Sequence, residues 1–453
     1  MQSIPTIKIF SEFCRALVGG STLALAALSA ALPSSAQGLI RDTEIEQLLN
    51  DYARPIFKAA GLGEGRVAMR IVKSDAFNAF VLDGRNVFIH TGALQQADTP
   101  NQVIGVIAHE AGHITGGHMA ALRARIARDT SRILLARVLG IGVAVATGNP
   151  AAAAAGDELI MRSLLAERRS QESAADQAGL SFLNNTNQSG RGMLETFERF
   201  AQQEYIGDQN KDPFVRSHPV ATERLAQLRD SVQKHPNYQV KDPAPLQLRH
   251  DMMRAKLAGY LTRPQTVFNR YPTTDASMPA RYARAIAKFF QGGPNSLEAA
   301  VADLDVMIKE RPDNPYLHEL KGDFYKRAGK AKEAIPPLRQ ALKMASDANL
   351  IRVELAQALL ATNEPAVIEE AATMLRRSLV EDQNASAYRA LGDAQFRQNK
   401  QPEAEASLAQ AAFLEGDIKQ AKNYAERAKR GIPAGSPSAL KMDDIISFKP
   451  PVE

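Results

Sequence analysis

Residues 106–120, VIAHEAGHITGGHMA, belong to a run in which Val103, Ile104, Val106, Ile107 and Ala108 leave no polar face. A helix that is apolar all round is buried on all sides. Histidine and glutamate are seldom fully buried without partners, so whatever this chain folds into must bring partners to His109, Glu110 and His113. His109 and His113 stand four residues apart. On a helix they project from nearly one face, about 6 Å apart along the axis, and two imidazoles so placed reach a single zinc ion. Glu110 is rotated by about 100° from His109, beside the coordination position, where a general base belongs. The chain holds 8 histidines in 453 residues, too few for this spacing to arise easily by accident.

A catalytic zinc normally takes three protein ligands. A third histidine six residues beyond His113 is absent, because position 119 is Met, and His118 misses that register by one residue. The stretch RRSQESAADQAGLSFL supplies another candidate. As a helix it places Glu172, Ala175, Asp176, Gly179 and Leu183 on one face, with Ser173, Gln177, Ser181 and Asn184 opposite. Two carboxylates in a buried stripe demand a cation or strong donors. Glu172 as third zinc ligand, with Asp176 holding a ligand histidine by its other ring nitrogen, meets that demand. In RSHPVATER, Pro219 keeps His218 out of a helix interior, and Arg224 falls on the helix that follows. A loop histidine there either stabilises an oxyanion or occupies the metal as a fourth ligand and silences the site.

The remainder of the chain frames this centre. Lys8 and Arg15, an apolar run, then Ser34 and Ala36 form a secretory signal pattern over residues 1–36; an uncleaved anchor is the alternative. Cys14, the one cysteine, lies inside it, so the mature chain has no disulfide and any metal site is built from His, Asp and Glu. Residues 37–240 mix helix and strand signals: a helix over RDTEIEQLLNDYARPIFKAAG, a strand in RVAMRIVKS, and a hairpin in NAFVLDGRNVFIHTGAL turning at Asp83-Gly84. The apolar segment 133–160 is interrupted by Arg137 and ended by Gly148-Asn149-Pro150, too short for a membrane span; a helical hairpin or flap is expected. Residues 241–247 read as a proline-broken linker. Beyond it, 248–432 read as tetratricopeptide repeats. Gly322, Ala334, Leu338 and Ala341 recur as Gly392, Ala404, Leu408 and Ala411, a spacing of 392 − 322 = 70, close to twice a period of about 34, with a short insertion near NEPAVI taking up the difference. Weaker units surround Ala300, Leu304 and Met307, and Ala421, Ala425 and Ala428. Residues 433–453 read as a C-terminal tail. A formal charge of +5 with no basic block gives nucleic-acid binding no support.

The ordered set HEAGH, ESAAD, the NAF hairpin and HPVATER resembles the M48 family of zinc metallopeptidases, a gluzincin group. The resemblance implies an α+β, mostly helical gluzincin-type domain with a small sheet, followed by an all-α tetratricopeptide-repeat solenoid. It implies His109, His113 and Glu172 as ligands of one Zn2+ ion, Glu110 as base, Asp176 behind the ligands, His218 as a regulatory or transition-state histidine, and Arg224 as its companion. It implies that Asn78, Ala79, Phe80 and Val81 offer a strand edge to an extended substrate. Joined to the leader and the repeats, it implies a periplasmic endopeptidase, at most peripherally membrane-associated. Such an enzyme acts on unfolded or stalled outer-membrane β-barrel proteins, degrading misassembled precursors and assisting assembly, alongside the barrel assembly machinery reached through its repeats. The alternative is a chaperone or adaptor that binds barrel precursors through its repeats and keeps a latent protease domain. One departure is the pair of glycines in ITGGH, where the family often carries bulkier polar residues. It leaves the role of His118 open between a satisfied core histidine and one behind the ligands.

Overall fold

The computed structural model describes residues 38–63, 65–125, 128, 152–201, 213–218 and 222–450. The expected leader, and residues 133–151 of the apolar segment, lie outside them. They form two compact units, Leu39–Asp382 and the chain from Gln383 onward. No helix among the described residues is long and apolar enough to cross a membrane.

The first unit opens with strand β1 (Leu39–Ile40) and helix α1 (Thr43–Ala59), capped by Asp42, whose side chain accepts from the Ile45 amide. Strands β2 (Ala68–Val72), β3 (Ala79–Val81) and β4 (Asn86–His90) follow. The sheet order is β1-β2-β4-β3, with β2 and β4 parallel and the other pairs antiparallel. The expected hairpin is β3–β4. Gly84 takes φ +73° in its turn, and the Asp83 carboxylate accepts from the Arg85 and Asn86 amides. β3 is therefore a sheet edge.

Helices α2 (Thr91–Gln96) and α3 (Pro100–Thr115) come next; Thr99 caps α3 and Pro100 occupies its first turn, where the missing N–H matters least. From Val103 to Ala111 every side chain of α3 is buried, as its all-round apolarity required. Helices α4 (Ala152–Asn185), α5 (Arg191–Ala201), α6 (Pro213–Ser217) and α7 (Thr222–Lys234) follow. In α4, Glu172, Ala175, Asp176, Gly179 and Leu183, the stripe read from the periodicity, are buried, and Leu180 is buried beside them.

Residues 241–247 do not form a linker throughout. Pro243 is the N-cap of helix α8 (Ala244–Leu261) and Pro245 lies in its first turn, so these prolines start a helix instead of breaking structure. Met253 and Leu257 of α8 pack into the core formed with α1, α3 and the sheet, while Met252 and Ala255 pack into the core of the helices that follow. Lys256, buried between them, meets Asp42 at 2.7 Å, Glu44 at 3.2 Å and Glu319 at 3.7 Å. His250 donates to the Ala97 carbonyl at 2.9 Å and accepts from the Tyr52 hydroxyl at 3.1 Å.

Helices α9 (Pro264–Arg270), α10 (Met278–Gln291), α11 (Ser296–Glu310), α12 (Pro315–Arg327), α13 (Ala331–Met344), α14 (Asn349–Ala361) and α15 (Ile368–Glu381) complete the first unit. A Cβ on Gly322 of α12 would lie 2.5 Å from Leu338 Cγ and 3.3 Å from the Ala334 carbonyl of α13. The second unit holds α16 (Ala385–Arg397), α17 (Gln401–Leu414), α18 (Ile418–Ala428) and α19 (Pro437–Ser447). There a Cβ on Gly392 would meet Leu408 Cγ at 3.1 Å and the Ala404 carbonyl at 3.2 Å. The same small residue meets the same two partners in both units, which is the internal geometry of a helical repeat. The expected tail contains α19, whose Met442 and Ile445 pack with Ala421 and Ala425 and close the last repeat.

Burial pulls the His250 imidazole down from 6.5 to about 4. It stays neutral in the folded chain while the unfolded chain takes up a proton near 6.5. Its stabilisation is full above that value and is lost as the pH falls towards 4, amounting to about 2 kcal/mol by pH 5. His250→Gln keeps an amide donor for Ala97. Its unfolding free energy is expected to fall by about 2 kcal/mol less than the parent's between pH 7 and 5, measured by denaturant titration.

Candidate metal centre

The centre is made where α3 crosses α4. A Cβ on Gly112 of α3 would stand 2.6 Å from the Ala175 carbonyl oxygen and 2.8 Å from its Cα, and one on Gly179 of α4 would meet the backbone of Ala108 and His109 at 3.0–3.1 Å. Bare backbone on each helix thus faces backbone on the other. The side chains one turn away, His109 and His113 from α3 and Glu172 and Asp176 from α4, are pressed into one space.

Four donors converge there. Nε2 of His109 is 3.1 Å from Nε2 of His113 and 3.4 Å from Oε2 of Glu172, and Nε2 of His113 is 3.4 Å from Oε1 of Glu172. His218 follows α6, and its Nδ1 lies 3.1 Å from both His109 Nε2 and Glu172 Oε2. All four residues are buried and form a group able to hold a metal ion. Ligand atoms about 2.0–2.1 Å from a tetrahedral zinc lie about 3.3–3.4 Å from each other, close to these separations.

Charge gives an independent test of fit. Glu110, Glu172 and Asp176 are buried carboxylates, and among the described residues Arg224 is the one permanent cation buried beside them. With the rings neutral and all three carboxylates ionised, a divalent cation held by the cluster would balance the two charges that Arg224 leaves unmet. The rings respond to the same imbalance: burial lowers His109, but Asp176 and Glu172 outweigh it and raise it to about 9. Burial and the neighbouring His109 push His113 down to about 2, leaving its nitrogen lone pair free. Burial raises the Glu110 carboxyl, which His218 and His109 only partly offset.

Behind the donors, His109 Nδ1 is 2.9 Å from Asp176 Oδ1, which leaves Nε2 directed at the cluster. Arg224 grips the same carboxylate through Nε and, at 2.8 Å, through Nη2. These bonds overcome the upward push of burial and hold Asp176 below its ordinary value. Arg224 also lies 3.2 Å from Glu172 Oε2 and covers the Phe197 ring at 4.9 Å. Glu110 sits beside the cluster: His218 Nε2 is 3.3 Å from its Oε1, without hydrogen-bond geometry, and that buried oxygen has no hydrogen bond among the described residues.

The sequence-derived strand edge is adjacent. His218 Nε2 lies 3.3 Å from the Ala79 carbonyl, and the Ser217 hydroxyl donates to Asn78 Oδ1 at 3.2 Å. Asn78 and Ala79 therefore meet the segment carrying His218, while Phe80 stacks on Phe88 of the neighbouring strand at 5.2 Å and Val81 is buried. Three contacts were not read from the sequence. Phe197 packs edge-on to His109 at 5.5 Å, Arg168 donates to the Ser217 carbonyl at 2.7 Å, and His118 Nδ1 lies 2.9 Å from His113 Nδ1. Phe197 sits on the apolar face of an amphipathic helix, where nothing in its spacing separates it from ordinary core.

The crossing yields a test with an informative sign. Glycine to alanine inside a helix ordinarily stabilises by about 1 kcal/mol. At Gly112 the added carbon meets Ala175 backbone, so Gly112→Ala is expected to destabilise by roughly 1–3 kcal/mol and to release metal more readily. Thermal unfolding and metal content of the purified variant check this, and a stabilised variant with full metal would contradict it.

Residues 40–232 match the profile of peptidase family M48. The chain is 22% identical over 420 residues to the β-barrel assembly-enhancing protease of Escherichia coli O157:H7, a match spanning 90% of this chain and 83% of that protein. It is 25% identical over 164 residues to metalloprotease LoiP of Escherichia coli (strain K12), spanning 36% of this chain and 62% of that one. Among solved structures it is similar to MamA MSR-1 C2, at 18% identity and a TM-score of 0.31, over 37% of this chain and 93% of the other. The buried donor cluster lies inside the segment of this chain that is similar to peptidase family M48, the pattern of a metallopeptidase centre.

Proposed function

We propose that His109, His113 and Glu172 hold one zinc ion and that the chain is a periplasmic endopeptidase acting on misassembled outer-membrane β-barrel precursors. The observation that carries the site is the convergence of two imidazoles from α3 and a carboxylate from α4 at 3.1–3.4 Å. The barrel-related substrate, the periplasmic location and a link to the barrel assembly machinery through the repeats rest on the likeness to the β-barrel assembly-enhancing protease and on the leader-like N-terminus. A bound zinc ion supplies Lewis acidity, polarising the scissile carbonyl and lowering the pKa of an attacking water.

The chain's own residues do the rest. Glu110 carries a buried oxygen beside the donors that has no hydrogen bond among the described residues. It takes the proton from the attacking water and delivers it to the leaving amine. Asp176, fixed by Arg224, keeps the His109 ring turned so that Nε2 faces the other donors and would be available to a metal. The outer edge of β3, residues 79–81, offers backbone groups to an extended substrate.

The position of His218 favours a resting state that is latent. Its Nδ1 stands 3.1 Å from both His109 Nε2 and Glu172 Oε2, where it would serve as a further ligand to a bound ion, and its Nε2 faces Ala79 on the proposed substrate edge. One histidine thus covers both the reaction position and part of the docking strand. A scaffold or adaptor in which the peptidase fold only supports the repeats is the competing account.

Glu110→Gln is expected to keep its zinc and lose cleavage by about 10²–10⁴-fold, read by metal analysis beside hydrolysis of an unfolded barrel precursor; cleavage at the parent rate would rule out Glu110 as base. His218→Ala is expected to cleave a casein-like substrate several-fold faster than the parent. Slower cleavage would assign His218 to the transition state, and equal, negligible cleavage with full metal would favour the scaffold.

A further inference from the structure

His118 is not among the converging donors, yet its Nδ1 is 2.9 Å from Nδ1 of His113, the two rings meeting edge to face at 79°. Two imidazole nitrogens at that distance share one proton, one donating and the other accepting. A neutral His113 whose Nε2 serves as a metal ligand carries its proton on Nδ1. We infer that His118 is a positioning residue: its Nδ1 accepts the His113 N–H and holds that ring with Nε2 facing the metal. The inference rests on the reading of His113 as a ligand.

The local chain is shaped for this contact. Helix α3 ends at Thr115, Gly116 caps it, and Gly117 takes φ +62°, a conformation that side chains other than glycine's disfavour. The chain reverses there, and helix resumes at His118. A Cβ on Gly116 would stand 2.3 Å from His118 Nε2 and 2.8 Å from Cδ2 and Cε1. The His118 ring lies across the bare Cα of Gly116. One glycine of the ITGGH pair provides the turn and the other provides the room. Bulk at position 116 would displace the ring whose nitrogen reaches His113.

The two proposed ligand histidines are thereby braced differently. His109 donates from Nδ1 to Asp176, a carboxylate tied down by Arg224. His113 turns its Nδ1 to a half-buried imidazole on the next turn of chain. Partners of this kind commonly change metal affinity by about 10–100-fold when removed.

The test compares zinc release to a chelator from the full-length parent and from His118→Phe, His118→Asn and Gly116→Ala. Phenylalanine keeps a ring but offers no acceptor; the Asn Oδ1 stands near the place of the imidazole Nδ1. His118→Phe is expected to release zinc about 10–100-fold faster, and His118→Asn to recover most of that loss. Gly116→Ala is expected to behave like His118→Phe, and combining the two to add little. Nitrogen-15 NMR of the zinc-loaded parent is expected to place the His113 proton on Nδ1, a readout independent of any variant. Parent-like release by His118→Phe, or His118→Asn no better than His118→Phe, would overturn the inference. If His113→Ala itself holds zinc as the parent does, the ligand reading fails instead.

Discussion

The site depends on one close approach. Helices α3 and α4 touch through Ala108 and Gly112 on one side and Ala175 and Gly179 on the other, with backbone against backbone. Helix axes ordinarily pack 8–10 Å apart, at a distance set by the side chains between them. With only hydrogen or methyl at the contact, the flanking His109, His113, Glu172 and Asp176 share one small volume. Larger residues at the crossing would leave the same four groups on the same faces and out of reach of one another.

That confinement also creates an electrostatic demand. Among the described residues, three buried carboxylates and one buried guanidinium do not balance, and uncompensated charge in a desolvated space costs several kcal/mol. The fold answers with an ordered chain of bonds from Arg224 to Asp176 to His109, and a divalent cation bound at the cluster would complete it. A similar logic operates away from the centre. Lys256 is buried among Asp42, Glu44 and Glu319, so α8 is tied by charge as well as by apolar packing to the peptidase core and to the first repeat helices.

Much of this was legible from residue spacing. The i, i+4 histidines on an all-apolar helix demanded a partner, and the helical stripe in ESAADQAGL identified which carboxylates faced inward. The repeat positions of Gly322 and Gly392 were equally readable, because a small residue recurs where two helices touch. Other features were hidden for physical reasons. Prolines mark helix starts as well as breaks, so Pro243 and Pro245 suggested a linker where α8 begins. The placing of Gly112 against Ala175 is a relation between distant segments, and no periodicity within one helix encodes it. His118 was open because its position depends on the positive φ of Gly117, which turns the chain back on itself.

Crystals of the full-length protein, with diffraction recorded on both sides of the zinc absorption edge, test the central claim most directly. The expected result is one anomalous peak per chain about 2.0–2.2 Å from His109 Nε2, His113 Nε2 and a Glu172 carboxylate oxygen. A zinc-replete protein with no peak between α3 and α4, or with its zinc held elsewhere, would contradict the account.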